Sequence, residues 1–243
     1  MGEKVLKNVR VYFGGYDISG QTNNMTLTKT AELKDRTTFK SSARQRIAGL
    51  QDVEVALSGN WNSTVIDKPI SETIATTGQV LSIIASGTSQ GSICYFVRSI
   101  TGEYSPAGSI GELYGFDFAG YAQQQPLVRG KLIENSATLS TGNGTAVGLG
   151  VTPTSTQKLY VVHHVLGPSS SGSLSKAHIQ TSSSSGFGTS STKILLTSVT
   201  HASTVRGQWA STTPSTKPCF VRVVITSSSG TPRYNGVICA GIY

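Results

Sequence analysis

No Asp or Glu occurs after Glu134 in this chain of 243 residues. All twelve acids lie at or before that position, where thirteen Lys and Arg nearly balance them, so most of the net charge of +8 belongs to the second half. A basic half raises the question of nucleic acid. Its cations, however, are Lys158, Lys176, Lys193, Arg206, Lys217, Arg222 and Arg233, strung out without a cluster and with little aromatic surface between them. Neutralising phosphates needs density along a groove. Acidic surfaces on neighbouring subunits are the better match.

Cysteine is also scarce. Cys94, Cys219 and Cys239 are odd in number, show no C-x-x-C spacing and sit inside strand-like runs, as small buried hydrophobes of a reducing compartment do. Long apolar runs are missing altogether. Without about 18 consecutive apolar residues there is no membrane-spanning helix, and residues 1–10 lack the apolar stretch of a signal peptide. The expectation is a protein made in the cytoplasm that contacts no membrane.

Helical periodicity is nearly absent, whereas Gly, Ser and Thr abound, and the class expected is all-β. Val9, Val11 and Phe13 alternate with polar residues, as do Met25 and Leu27, and then Val53, Val55 and Leu57. Such a beat suits strands covered on one face. Between the last two runs lies a segment, 34–46, with five basic residues and one acid, too polar to form core. Asp67, Pro69, Ile70 and Ile74 mark one short helix that Asp67 is placed to cap. Further strands are expected at 80–85, 93–97, 113–119 and 127–133, with 100–111 as a loop. Acids vanish across 135–143, which sets a boundary between a first unit, 1–134, and a second, 144–243. The second reads as strands at 146–151, 159–166, 177–181, 193–199, 208–210, 219–225 and 237–242 joined by Ser-rich turns, in the manner of a sandwich or jelly roll.

The inventory for catalysis is thin. His163 and His164 are adjacent in a strand and point to opposite faces, so they cannot share a metal, and His178 and His201 have no acid or Cys nearby in sequence. No phosphate-binding glycine motif occurs, and Gly87-Thr88-Ser89-Gln90-Gly91, which has G-x-S-x-G spacing, reads as the turn between two strands. Asp52 and Glu54 share one strand face, where an ion-paired surface role is favoured over acid–base work. Trp61 and Trp209 read as core or interface packing. No catalytic residue, cofactor or metal is expected.

The order of several elements resembles the tail tube (major tail) proteins of long-tailed, siphovirus-like bacteriophages. The residues that carry it are Tyr16-Asp17-Ile18-Ser19-Gly20, then Thr37-Thr38-Phe39 after Ala31-Glu32-Leu33, then Ile47-Ala48-Gly49-Leu50-Gln51-Asp52 running into Val55 to Trp61. Lys158-Leu159-Tyr160 and Phe220-Val221-Arg222 continue it. The resemblance implies a tail-tube-like β-sandwich or barrel with one short helix and a long polar loop, followed by a second Ser/Thr-rich β-sandwich. It further implies a virion protein, made in the host cytoplasm, that self-associates into stacked rings. Those rings would be hexameric, or trimeric with pseudo-six-fold symmetry, with other tail proteins at the two ends and DNA passing transiently through the lumen at ejection. Lys34, Asp35, Arg36, Phe39, Lys40, Arg44, Arg46, Asp52 and Glu54 are the expected subunit and ring contacts. A carbohydrate-binding or adhesion module on the virion surface is the alternative.

Overall fold

The alternation of apolar and polar residues becomes an almost wholly β structure in the computed structural model. It describes residues 8–40, 42–85, 87–139, 142–167, 175–187, 192–199, 206–213, 220–227 and 234–243. The first strands are β1 (Arg10–Phe13), β2 (Tyr16–Asp17), β3 (Thr22–Asp35), β4 (Arg46–Asn60), β5 (Gln79–Ile84), β6 (Ile93–Ala107), β7 (Gly115–Ala122) and β8 (Val128–Leu139). They are followed by β9 (Gly142–Asn143), β10 (Val147–Gly148), β11 (Leu159–Gly167), β12 (Ser175–Ser182), β13 (Thr192–Val199), β14 (Arg206–Thr212), β15 (Phe220–Ser227) and β16 (Tyr234–Ile242).

Among the described residues these strands form two antiparallel sheets. The larger runs β14-β11-β16-β8-β6-β5-β1-β2, with β7, β4 and β3 added in turn from β6. The smaller runs β10-β15-β12-β13, with β9 also on β15. β8 passes through the composition shift at Asn135 and pairs with β16, so strands from both sides of the shift share the larger sheet.

β11 explains the layering. Leu159, Val161 and Val165 face one way and pack with Ala177, Ile179, Val221, Val223 and Ile225 of the smaller sheet. Tyr160 and Val162 face the other way and meet Val80, Phe96, Val128 and Val237. A strand covered on both sides is mostly apolar, hence the run Leu-Tyr-Val-Val-His-His-Val-Leu, whose only strongly polar members are two buried histidines. The second of these cores forms because the larger sheet curls on itself: Trp209 of β14 lies edge-on to Phe96 of β6, with ring centroids 5.6 Å apart. The curl does not close into a barrel, since β14 and β2 end the strand order. A third core joins β1, β4, β5 and β7 through Val11, Phe13, Val55, Leu57, Ile83 and Phe118. Full burial of side chains such as Phe13 and Phe96 stabilises the fold by roughly 2–3 kcal/mol each.

Several expectations need correction. The turn near residue 67 begins earlier, as a wide π-type turn over Ser63–Asp67 that leads into a single α-turn, Lys68–Ser71. Its cap is Asn62, whose side chain accepts from the Thr64 and Val65 amides, and Asp67 instead accepts a 3.0 Å hydrogen bond from the Tyr104 hydroxyl. Residues 100–107 are strand, not loop, because β6 continues to Ala107 against β7. Of the polar segment 34–46, Lys34 and Asp35 end β3 and Arg46 begins β4, and the described residues between them form the loop. Cys94 and Cys239 are buried small hydrophobes as expected, and burial pushes the Cys94 thiol up. Cys219, His201, Lys217 and Arg233 lie outside the described residues, as does most of the Ser-rich sequence between the later strands.

Candidate functional site

β3 and β4 are 14 and 15 residues long, far longer than the core they cover requires. Among the described residues only the Glu54–Asn60 end of β4 pairs with β7, and β3 pairs with β4 alone. The remainder, residues 28–52, is therefore a two-stranded arm, exposed at every described position. Such a ribbon is marginal alone in water, and its unpaired edges are sites for another chain. Leu33, Ile47, Leu50 and Phe39 stand on it 57%, 48%, 84% and 113% exposed.

Local hydrogen bonds close the tip. The Arg36 amide donates to Gln45 O at 2.8 Å, the Gln45 amide to Thr37 Oγ1 at 3.1 Å, and the Thr37 amide to the Asp35 carboxylate at 2.7 Å. The Thr37 side chain and amide together hold the Asp35 carboxyl below its ordinary pKa. Lys34 pairs with Glu32 on the same strand. A register shift between Ala31 and Leu33 kinks the ribbon, and Gly49 sits in it because a Cβ there would come within 3.1 Å of the Glu32 carboxylate.

All nine expected contact residues lie on this arm or at its root. Lys34, Asp35, Arg36, Phe39, Lys40, Arg44 and Arg46 cluster at the tip, and all are exposed. Asp52 and Glu54 stand apart from them, since six residues of strand separate Arg46 from Asp52, about 20 Å. Among the described residues the ion pairs are Arg10–Asp17 and Lys34–Glu32, so Asp52 and Glu54 do not pair with Arg44 or Arg46 of their own chain.

Asp52 and Glu54 belong to a second surface that sequence reasoning missed. β3, β4, β7 and β6 form a four-stranded sheet whose inner face carries Leu27, Val55, Leu57, Phe118 and Tyr104. Its outer face reads in rows: Thr28, Glu54, Tyr121, Ile100; then Thr26, Ala56, Ala119, Glu103; then Asn24, Ser58, Asp117, Ser105. With Asp52, two residues before Glu54, this face holds four acids, and Arg98, two residues before Ile100, is its one base. The other positions are Ala, Ser, Thr and Asn, apart from Tyr121 and Ile100 in the first row. A shallow groove of about 260 Å³ runs over Asn24, Thr26, Ala56, Ser58, Glu103 and Asp117. The signal in sequence was Glu103 and Asp117, of which Glu103 was hidden because 100–111 read as a loop.

The histidines take structural positions. His164 is fully buried: Nδ1 donates to Gly14 O at 2.5 Å, and the Ser82 hydroxyl donates to Nε2 at 2.7 Å. Since a carbonyl only accepts, the neutral ring carries its proton on Nδ1. Burial pushes its pKa down to about 4. His163 is equally buried and, one residue away in β11, faces the opposite side. Trp61 packs edge-on against Tyr114 and Trp209 against Phe96 and Tyr160. Among the described residues no group of three His, Cys, Asp or Glu is placed to hold a metal ion.

No family model matches the sequence, and no curated protein does. Solved structures are similar at low identity. The tail of an empty gene transfer agent particle, refined with C6 symmetry, has a chain 15% identical with a TM-score of 0.38, covering 44% of this chain and 80% of that one. A chain of the native gene transfer agent virion is 13% identical with a TM-score of 0.42, over 51% of this chain and 97% of that one. The SPP1 Dit protein, described as a hub of the adsorption apparatus in phages infecting Gram-positive bacteria, is 10% identical with a TM-score of 0.37, over 98% of this chain and 100% of that one.

Proposed function

We propose that this protein is a non-enzymatic structural subunit of a bacteriophage tail, located in the virion, and that it builds the tail tube through which DNA passes. The observation that carries this reading is the sheet β3-β4-β7-β6: one face anchored in the core, the other bearing the four acids Asp52, Glu54, Glu103 and Asp117 against one base, Arg98. Both lateral edges are open, at β3 and at the Glu103–Ala107 end of β6, where β7 is the only strand partner among the described residues. Copies arranged in a ring continue the sheet from β6 of one to β3 of the next, which removes the open edges. The acidic face then lines the channel.

Electrostatics favours that orientation. A cationic lining would hold the phosphate backbone through counterion release, whereas carboxylates repel it and let it slide. Arg222 agrees: it points away from the core shared by Val221 and Val223, bonded to Gln180 at 2.7 Å and stacked over Phe187, on the far side of the smaller sheet. Electron microscopy of the purified protein tests the proposal. Stacked rings with a continuous channel support it and give the symmetry. A single ring that never stacks would assign the subunit to a tail hub, and a monomer that binds cell-wall glycan would assign it to adhesion.

A further inference from the structure

Arg222 of β15 stands on the face of the smaller sheet that points away from the core, and its side chain is held there twice. Its Nε–H donates to Gln180 Oε1 at 2.7 Å, and its guanidinium lies 4.3 Å from the centroid of the Phe187 ring. Phe187 itself is buried, 7% exposed, at the end of the turn 183–187, with a φ of 47°. A bulky residue rarely adopts that left-handed backbone, and here it sets the ring against the arginine. The fork so fixed has no acid of its own. Among the described residues Arg222 belongs to no ion pair and no further hydrogen bond engages its terminal amino groups, and the sequence holds no Asp or Glu after Glu134. Lys193 is the register partner of Gln180 on β13, so Arg222, Gln180 and Lys193 form one row across three strands, with the backbones of the two cations about 10 Å apart. Lys176, four residues before Gln180 on β12, has the same strand parity.

We infer that this face binds an acidic polysaccharide, with the Arg222 fork taking a carboxylate or phosphate of the polymer. A guanidinium whose Nε is already bonded and whose plane is stacked presents its two Nη groups as parallel donors, a geometry matched by an anion with two free oxygens. Hydroxyls surround it: Ser183, Ser184 and Ser185 of the turn are exposed, in reach of sugar hydroxyls. A protein partner fits less well. Stable protein interfaces centre on desolvated apolar anchors, and none of the large exposed apolar side chains among the described residues lies on this face. Duplex DNA fits less well too, because its phosphates are dense along the helix whereas these cations are widely spaced. A polymer with one anion per sugar unit or two suits that spacing. This face is separate from the acidic one that the tube reading places in the channel.

Titration calorimetry of the full chain at low salt tests it, with sodium polygalacturonate as the carboxylate polymer, poly(glycerol phosphate) as the phosphate one, and dextran and duplex DNA as controls. At least one acidic polymer should bind and dextran should not; which polymer binds identifies the anion. Arg222→Lys keeps the charge but loses the fork, so it should weaken that binding by about fivefold or more while melting within a few degrees of the parent. Lys193→Gln, which leaves Arg222, Gln180 and Phe187 in place, should also weaken it and decides the matter if the arginine variant fails to fold. Acidic polymers that bind no better than dextran, or that bind both variants as tightly as the parent, would overturn the site and leave the Arg222–Phe187 contact as a closure of its turn. Duplex DNA bound more tightly than either polymer would reassign the face to nucleic acid. Binding by stacked rings upholds the site beside the tube reading, whereas binding by a chain that never assembles upholds the site and sinks the tube.

Discussion

The Tyr243 hydroxyl donates a 2.7 Å hydrogen bond to Gln51 Oε1, tying the root of the arm to a residue 192 positions away in sequence. Lys29 completes the contact, its ammonium donating to the same hydroxyl at 3.3 Å and lying 4.8 Å from the ring centroid. The described residues from 30 to 50 are all exposed, so Tyr243 braces the arm at its root. Tyr243→Ala should speed hydrogen exchange of the 46–53 amides while lowering global stability by less than about 1 kcal/mol, as expected for a half-exposed contact. Unchanged exchange would mean that the arm is held by its strand pairing alone.

Reversing the tip charges separates folding from assembly. Arg44→Glu/Arg46→Glu should melt within a few degrees of the parent, because exposed charges contribute well under about 1 kcal/mol each, yet it should assemble poorly since the repulsion recurs at every contact in a stack. Light scattering at low salt, set beside a thermal melt, checks this. Normal assembly with a lower melting temperature would make the tip a folding element.

His164 gives the fold a pH dependence of defined sign. Its folded pKa, about 4, lies below the ordinary value of 6.5, so the unfolded chain binds more protons between those two pH values. Its contribution is therefore complete above pH 6.5 and is lost as pH falls towards 4, by about 3 kcal/mol in all. Half-buried Glu134, whose pKa burial raises, acts with the opposite sign, and comparison with His164→Gln cancels it. Urea unfolding at pH 7 and pH 4.5 should show a smaller loss in the variant than in the parent. Equal losses would place the acid sensitivity elsewhere.

Gly130 and Gly241 face each other where β8 and β16 pair. A Cβ on Gly130 would lie 2.2 Å from Ala240 O, a backbone atom that cannot give way, while one on Gly20 would meet nothing within 4 Å. Gly130→Ala should cost more than about 2 kcal/mol and Gly20→Ala under about 0.5 kcal/mol, read from denaturant midpoints. Comparable effects would contradict the close pairing.

Strands buried on at least one face were legible because burial writes alternation into the sequence: Val53, Val55 and Leu57 of β4 are the plain case. The distal arm was not, since residues 28–52 pair only with each other and no core selects their side chains. The end of β6 escaped for a related reason. Gly102 and Pro106 argue against a strand, yet this stretch lies at an open edge, where Pro is tolerated. That error hid Glu103, and with it the acidic face. The tip residues were singled out by their charge and by the resemblance that includes Phe39, and Asn62 was a visible cap overlooked beside Asp67 and Pro69.

A density map of the assembled particle at side-chain resolution tests the tube reading most directly. We expect Asp52, Glu54, Glu103 and Asp117 to project into the channel, β3 of each subunit to pair with β6 of its neighbour, and Lys158, Lys176, Lys193, Arg206, Lys217, Arg222 and Arg233 to lie at subunit contacts or on the outside. A channel lined by four or more of those seven cations, or the acidic face turned outwards to solvent, would contradict it.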